Sequence, residues 1–158
     1  MKQGFSLIET IVAISIILIG IVGLYALIPY YIRVVAVNAD RFVSSQLASE
    51  GIEFVRNIRD NNSLLGNDWE EGLDNCFLVG CQMAYNDAGL FNYTGAQLRT
   101  DDSGFYKYDG GTTVTKYKRK ITITSSDSFS TDMNVVVEIS GLIGGATFQA
   151  SETLYNWR

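Results

Sequence analysis

The longest apolar run in the chain lies near its N-terminus and reads FSLIETIVAISIILIGIVGLYALIPYYI from Phe5 to Ile32. It contains one charged residue, Glu9. A membrane-spanning helix needs about 20 apolar residues, and residues 11–32 supply that length without a charge. The alternative is a buried helix of a soluble domain, where so long an apolar run is unusual. The pattern predicts a bilayer-spanning helix over residues 5–32.

After this run, apolar residues recur every three or four positions, which predicts an amphipathic extension of the helix over residues 33–62. The predicted stripe consists of Val35, Ala39, Phe42, Gln46/Leu47, Phe54/Val55 and Ile58. The polar residues Asp60 to Ser63 predict its end. Charges of both signs predict a solvated face, with pairing between subunits as the alternative: Arg33, Asp40, Arg41, Glu50, Glu53, Arg56, Arg59 and Asp60. Within this set, Glu53 with Arg56 and Arg56 with Asp60 have stabilising helical spacing.

Residues 63–111 show little periodicity and predict a variable loop with short turns or a small hairpin. Period-two alternation begins at Thr112 and predicts strands around Tyr117 to Ile123 and Met133 to Ile139. Gly144-Gly145 predicts a two-residue hairpin turn. Residues 112–158 therefore form an antiparallel sheet that packs on the helical stripe, an α+β fold. The basic run Lys116, Lys118, Arg119 and Lys120 predicts a solvated sheet surface, with polyanion binding as the alternative.

The sequence before the apolar run, Met1-Lys2-Gln3-Gly4, is a short basic leader that ends in glycine. A secretory signal peptide instead has its small-residue cleavage site after the apolar segment. Gly4, the apolar Phe5 and Glu9 four residues later resemble the prepilin signal of bacterial type IV pilins and type II secretion pseudopilins. The helix, loop and sheet follow in the order expected of a pilin-like fold.

The resemblance implies that residues 1–4 are a prepilin leader. A prepilin peptidase would cut between Gly4 and Phe5 and methylate the new amine of Phe5. An intramembrane carboxylate is costly and usually functional, and the family implies that Glu9 pairs with the Phe5 amine of a neighbouring subunit during assembly. Capping of its own helix is the alternative role for Glu9.

Three residues interrupt the apolar run: Gly20, Gly23 and Pro29. Proline kinks a helix and glycine loosens it, so these residues predict helix flexibility. In the family, the glycine-to-proline part of the helix melts when subunits pack. Simple bending, or close helix packing through small residues, is the alternative.

The 158 residues carry a net charge of −5 and no histidine. Nucleic acid is therefore not expected as a partner, and no enzyme activity, cofactor or metal site is predicted. Cys76 and Cys81 predict a disulfide if the domain lies in an oxidising compartment. The Asp101-Asp102-Ser103-Gly104 sequence resembles a fragment of a calcium loop but lacks its full pattern, so a turn is predicted.

Together these features predict a structural subunit of a type IV pilus-like filament, a minor pilin or pseudopilin, with a major subunit as the alternative. The resemblance implies other pilin-like subunits, an inner-membrane assembly platform and the lipid bilayer as partners. The C-terminal domain would lie outside the cytoplasm and later in a pilus or pseudopilus, which serves attachment, motility, DNA uptake or secretion. The alternative is a monomeric, single-pass anchored binding module.

Overall fold

The structure, a computed structural model, describes residues 6–125 and 131–156, except the side chain of Leu78. Two compact units divide the chain, Met1–Asn38 and Ala39–Arg158. The first element, α1, is the helix Leu7–Leu65. It is long and apolar enough to cross a membrane, as the sequence predicts. The predicted leader and Phe5 lie outside the described residues.

The end of α1 differs from the prediction, because the helix continues past Ser63 to Leu65. Asn61 donates to the Asn57 side chain at 2.8 Å, one helical turn back. Asn62 donates to the carbonyl of Glu71 at 2.8 Å, beyond the helix. These amides therefore support the last turn instead of ending it, and the chain turns at Gly66, which has a φ of 80°.

The second unit contains a five-stranded antiparallel sheet with strand order β2-β1-β6-β7-β8. Its strands are β1 Cys81–Gln82, β2 Phe91–Asn92, β6 Lys118–Ser125, β7 Asp132–Ser140 and β8 Phe148–Tyr155. The period-two prediction for β6 and β7 is confirmed, since alternate residues of both strands are buried. Ile121 pairs with Val137, and Val137 with Ala150, which fixes the register of the three long strands. The α+β architecture is confirmed.

The predicted loop over residues 63–111 contains more structure than the sequence indicates. A short helix, α2, spans Asp74–Leu78. A second antiparallel sheet has the order β4-β3-β5, with β3 at Arg99–Thr100, β4 at Tyr106–Lys107 and β5 at Thr113–Val114. Each of these strands has only two residues, which is too short to show a period.

The buried face of α1 is rotated from the predicted stripe. Phe42 is 66% exposed and Val35 is also exposed, although both were expected to be buried. The buried positions include small and polar residues: Asp40, Ser44, Leu47, Ala48, Gly51, Ile52, Val55 and Ser63. A Cβ added at Gly51 would lie 2.9 Å from Cγ1 of Val137. Small residues therefore let the helix approach β7 more closely than Phe42 would allow.

The predicted Gly144-Gly145 hairpin turn is wrong. The connection between β7 and β8 covers residues 141–147 and includes a 3₁₀ helix at Ile143–Gly145. Leu142 is buried in this connection, and the Ile143 N–H donates to Asp40 of α1 at 3.0 Å. These two contacts hold the longer loop against α1. A two-residue turn would be too short to reach the helix.

Candidate functional site

The N-terminal end of α1 carries the residues that the sequence singles out for assembly. Two of them, Gly4 and Phe5, lie outside the described residues. The Ser6 carbonyl accepts from the N–H of Glu9 at 3.0 Å and of Thr10 at 3.3 Å, so Glu9 lies in the first turn. Its carboxylate is exposed and makes no hydrogen bond or ion pair with any residue that the structure describes. The pairing of Glu9 with a neighbouring subunit stays a prediction.

The helix that follows is uncovered. Every described residue from 6 to 35 is exposed in the isolated chain, including all its isoleucines and leucines. The helix is continuous through Gly20, Gly23 and Pro29. Apart from the nearby backbone of the helix itself, no described atom lies within 4 Å of a Cβ added at either Gly20 or Gly23. The two glycines thus leave open surface, and the predicted melting of this segment stays a prediction.

In the second unit, Asp40 is a buried carboxylate that binds the ends of two loops. Both carboxylate oxygens accept from Lys116 Nζ at 2.6 Å. Oδ1 also accepts from the Tyr117 hydroxyl at 3.0 Å, and Oδ2 from the Ile143 N–H at 3.0 Å. Burial opposes its ionisation, but the hydrogen bonds from Lys116, Ile143 and Tyr117 outweigh burial and lower the Asp40 pKa. Burial, with the bond to Asp40, raises the pKa of Tyr117 to about 12. The prediction that Asp40 belongs to a solvated face is wrong.

Arg119 of β6 is fully buried between the helix and the sheet. Its guanidinium donates to the Leu47 carbonyl at 3.1 Å, to Glu50 at 2.7 Å and to the Met83 carbonyl. The guanidinium carbon also lies 5.0 Å from the ring centroid of Phe54, a cation–π distance. The prediction of a solvated basic run is therefore wrong at Arg119, although Lys118 and Lys120 do lie on the other face of β6.

The charge pairs along α1 also differ in part from the prediction. Arg56 pairs with Glu53 as predicted. Its second partner is Glu152 of β8, at 2.5 Å, and not Asp60. Asp60 instead pairs with the adjacent Arg59 at 2.7 Å. Because Glu152 faces the helix from the sheet, Arg56 fixes α1 to β8.

Asp101 organises an exposed turn between β3 and β4, so the predicted turn is confirmed. Its carboxylate accepts from the N–H groups of Ser103 and Phe105, each at 3.0 Å, from the Tyr85 hydroxyl at 2.9 Å and from Lys107 at 3.1 Å. These bonds, led by the one from the Phe105 N–H, lower the pKa of Asp101 to about 2. The turn thereby holds the exposed ring of Phe105 5.2 Å from the ring of Tyr85.

The predicted disulfide is confirmed. Cys76 of α2 and Cys81 of β1 are bonded, with their Cα atoms 4.7 Å apart. Both are buried in the core, and Cys81 pairs with Ile121 in the sheet. The disulfide therefore fixes the short helix α2 against β6.

Sequence reasoning predicted the disulfide and the turn at Asp101 but missed the buried contacts of Asp40 and Arg119. The roles of Gly4, Phe5 and Glu9 stay predictions. Asp40 and Lys116 are 76 positions apart, so no local pattern links them. The sequence did contain one signal that Arg119 is buried. Arg119 lies two positions from both Tyr117 and Ile121, so it points to the same buried face of the sheet as these residues. A charged residue at an inward position of a strand predicts a buried partner.

Comparison with known families finds that residues 1–25 match the family described as the prokaryotic N-terminal methylation motif. This motif is the signature of type IV pilins and pseudopilins. Comparison with the curated proteins and with the solved structures found no significant match. The recognised motif ends within the uncovered part of α1. The motif and this apolar helix are consistent with membrane anchoring and pilus assembly.

Proposed function

We propose that this chain is a structural subunit of a type IV pilus-like filament. The observation that carries the proposal is the uncovered apolar half of α1, whose first part lies within the methylation motif of residues 1–25. An exposed apolar surface of this extent needs lipid or another protein against it. Lipid covers it before assembly, and the same helices of other subunits cover it in a filament.

The proposal gives the residues at the membrane end separate roles. A prepilin peptidase cleaves between Gly4 and Phe5 and methylates the Phe5 amine. The Glu9 carboxylate, which has no partner among the described residues, pairs with the Phe5 amine of a neighbouring subunit. A charge at the centre of a bilayer helix costs about 2.5–3.5 kcal/mol, so mutual neutralisation favours the assembled state.

Processing is tested by mass spectrometry of the N-terminal peptide from membrane-extracted protein. The expected chain begins at Phe5 and carries one added methyl group. Gly4→Val should block cleavage while the protein still inserts, because the apolar segment is unchanged. Recovery of the parent chain from membranes with Met1 retained would refute the processing step and would count against the filament role that the motif supports.

Assembly is tested by quantifying the protein in sheared fibres and in the membrane fraction for the parent chain and Glu9→Leu. Loss of one partner of a desolvated charge pair costs about 3–5 kcal/mol, so incorporation should fall about a thousandfold while leader removal continues. Thr10→Leu is the matched control, since its hydroxyl donates to the Leu7 carbonyl of its own helix, at 2.8 Å.

A monomeric anchored binding module gives the opposite result. There the Glu9 carboxylate is only a cost of insertion, so Glu9→Leu should insert as well as the parent chain or better. Equal recovery of parent and Glu9→Leu protein in fibres would show that Glu9 is not the assembly contact. The abundance of the parent chain in the same fibres distinguishes a major from a minor subunit.

A further inference from the structure

A groove on the second unit lies between α1 and the turn from β3 to β4. It has a volume of about 490 Å³. Its lining is mainly apolar and includes Phe42, Val43, Leu47, Glu50, Phe105 and Tyr106. Phe42 is 66% exposed and Phe105 is 57% exposed, so the two aromatic rings are open to a partner. Clustered exposed apolar side chains of this kind indicate an interaction surface.

The wall of the groove is held in place before any partner binds. The Phe105 N–H donates to Asp101, and the Phe105 carbonyl accepts from the Asp101 N–H, both at 3.0 Å. The Tyr85 ring supports the Phe105 ring from the other side. A rigid exposed aromatic residue loses little conformational freedom on binding, which is typical of the residues that dominate interfaces.

The first unit presents a matching surface on α1. Tyr30, Arg33, Val34 and Val37 follow the spacing of one helix face and line a shallow depression of about 350 Å³. Tyr30 is 65% exposed. Arg33 makes no hydrogen bond or ion pair with any residue that the structure describes. This face thus combines an aromatic ring, two valines and a cation that has no partner among the described residues.

The charges of the two surfaces are complementary. Glu50 in the groove binds Arg119 through one oxygen, Oε2. Its side chain is 33% exposed, whereas that of Arg119 is fully buried. The exposed charge of this pair is therefore the carboxylate, and its second oxygen can accept from a cation that enters the groove. An arginine between apolar residues fits such a site.

We propose that the groove receives the Tyr30–Val37 face of α1 from a second copy of this chain, with Arg33 opposite Glu50 and Tyr30 against Phe105. The proposal rests on the proposed function, and it identifies one contact between neighbouring subunits. It also gives part of the uncovered apolar helix a protein surface to pack on once that helix leaves the lipid.

Cysteine cross-linking tests the contact in the full chain. The double variant Val34→Cys/Ser103→Cys places one thiol on the helix face and one beside Phe105, and both native cysteines are already bonded. Disulfide formation requires Cα atoms about 4.4–6.8 Å apart. Oxidation of sheared fibres should produce a ladder of linked subunits. It should form at least tenfold faster than with Val34→Cys/Ser151→Cys, whose second thiol lies on the exposed face of β8.

Two substitutions test the energetics with matched controls. Phe105→Ala should lower recovery in fibres at least tenfold, whereas Tyr155→Ala, which truncates another exposed aromatic residue, should stay within twofold of the parent. Arg33→Gln should lower recovery more than Arg41→Gln, because Arg33 lies on the helix face that enters the groove, whereas Arg41 lines neither surface. Leader removal and the Cys76–Cys81 bond report that each variant inserts and folds.

The outcomes separate this contact from the function on which it rests. Fibres that contain the parent chain but show no preference for the Val34–Ser103 cross-link would overturn the groove contact alone. The same holds if Phe105→Ala assembles like Tyr155→Ala. Absence of the parent chain from fibres would overturn the filament function as well.

Discussion

Replacing Asp40 with asparagine should destabilise the second unit, because all the groups around its carboxylate are donors. Oδ1 accepts from Lys116 and Tyr117, and Oδ2 accepts from Lys116 and the Ile143 N–H. An asparagine side chain keeps one oxygen but turns an NH₂ group toward donors. At least one donor, either the buried Tyr117 hydroxyl or the Ile143 N–H, therefore loses its acceptor, whichever way the amide is oriented.

The magnitude follows from the kinds of bonds that are lost. A hydrogen bond to a charged group contributes about 1.5–3 kcal/mol, and an unsatisfied buried donor costs about 1–3 kcal/mol. The Lys116 side chain is 43% exposed and can bind water instead, whereas Asp40 itself is buried. We therefore expect Asp40→Asn to reduce the free energy of unfolding by about 2–3 kcal/mol at pH 7.

The effect should depend on pH in one direction. The folded-state pKa of Asp40 is lowered, so its ionised form stabilises the folded state at pH values above the ordinary pKa of about 3.9. This contribution should be fully present from about pH 5 upward and lost as pH falls through the folded-state pKa. The difference between parent and Asp40→Asn should shrink accordingly below about pH 4.

Denaturant unfolding of the full chain in detergent micelles measures this difference. The fluorescence of Trp69, which is buried in the core, reports unfolding of the second unit. Glu53→Gln is the control, since Glu53 is 61% exposed and its ion pair with Arg56 should contribute less than about 1 kcal/mol. An Asp40→Asn effect within 0.5 kcal/mol of zero at pH 7, or one that persists unchanged at about pH 3, would refute the reasoning.

Three further substitutions test the core of the second unit, each by the same unfolding measurement. Gly51→Ala should lower the free energy of unfolding by about 1 kcal/mol despite the better helix propensity of alanine. Adding Val137→Ala in the same chain should recover part of that loss. If the effects of the two single substitutions on the free energy of unfolding simply add, the close contact is refuted. Arg119→Met should cost about 3 kcal/mol because it removes the buried cation that pairs with Glu50 and donates to the Leu47 and Met83 carbonyls. An effect below about 1 kcal/mol would mean that water replaces the guanidinium. Replacing Cys76 and Cys81 with serine should lower the free energy of unfolding by about 2 kcal/mol. It should also increase hydrogen exchange in residues 63–111 more than in β6 and β7. An equal increase in all these segments would contradict this prediction.

Local signals account for the parts of the fold that could be predicted. The apolar run and the alternation in β6 and β7 need only a few neighbouring residues to be recognised. The Gly4, Phe5 and Glu9 spacing is also local, and the methylation motif covers it. By contrast, the two-residue strands β1 to β5 are held by pairing with distant residues, such as Cys81 with Ile121. Their own sequences carry no pattern long enough to read.

The rotation of the helix stripe has a different cause. Hydrophobicity favours burial of Phe42, but the sheet approaches α1 where the side chains are smallest, at Ser44, Ala48 and Gly51. Shape therefore decides which face is buried, and Phe42 is left beside the groove. Sequence hydrophobicity alone cannot show this, because it depends on how closely β7 can pack.

The buried face of α1 has small side chains, and the polar contacts of the helix explain how it keeps one register on the sheet. Small residues let a helix slide at little cost, whereas Asp40, Glu50 and Arg56 each bind a different part of the sheet. Asp40 holds the loop before β8, Glu50 holds β6, and Arg56 holds β8. We infer that these three contacts act mainly on register. If so, Asp40→Asn should increase hydrogen exchange in residues 141–147 more than in β7, and an equal increase throughout the sheet would show that Asp40 acts on stability alone.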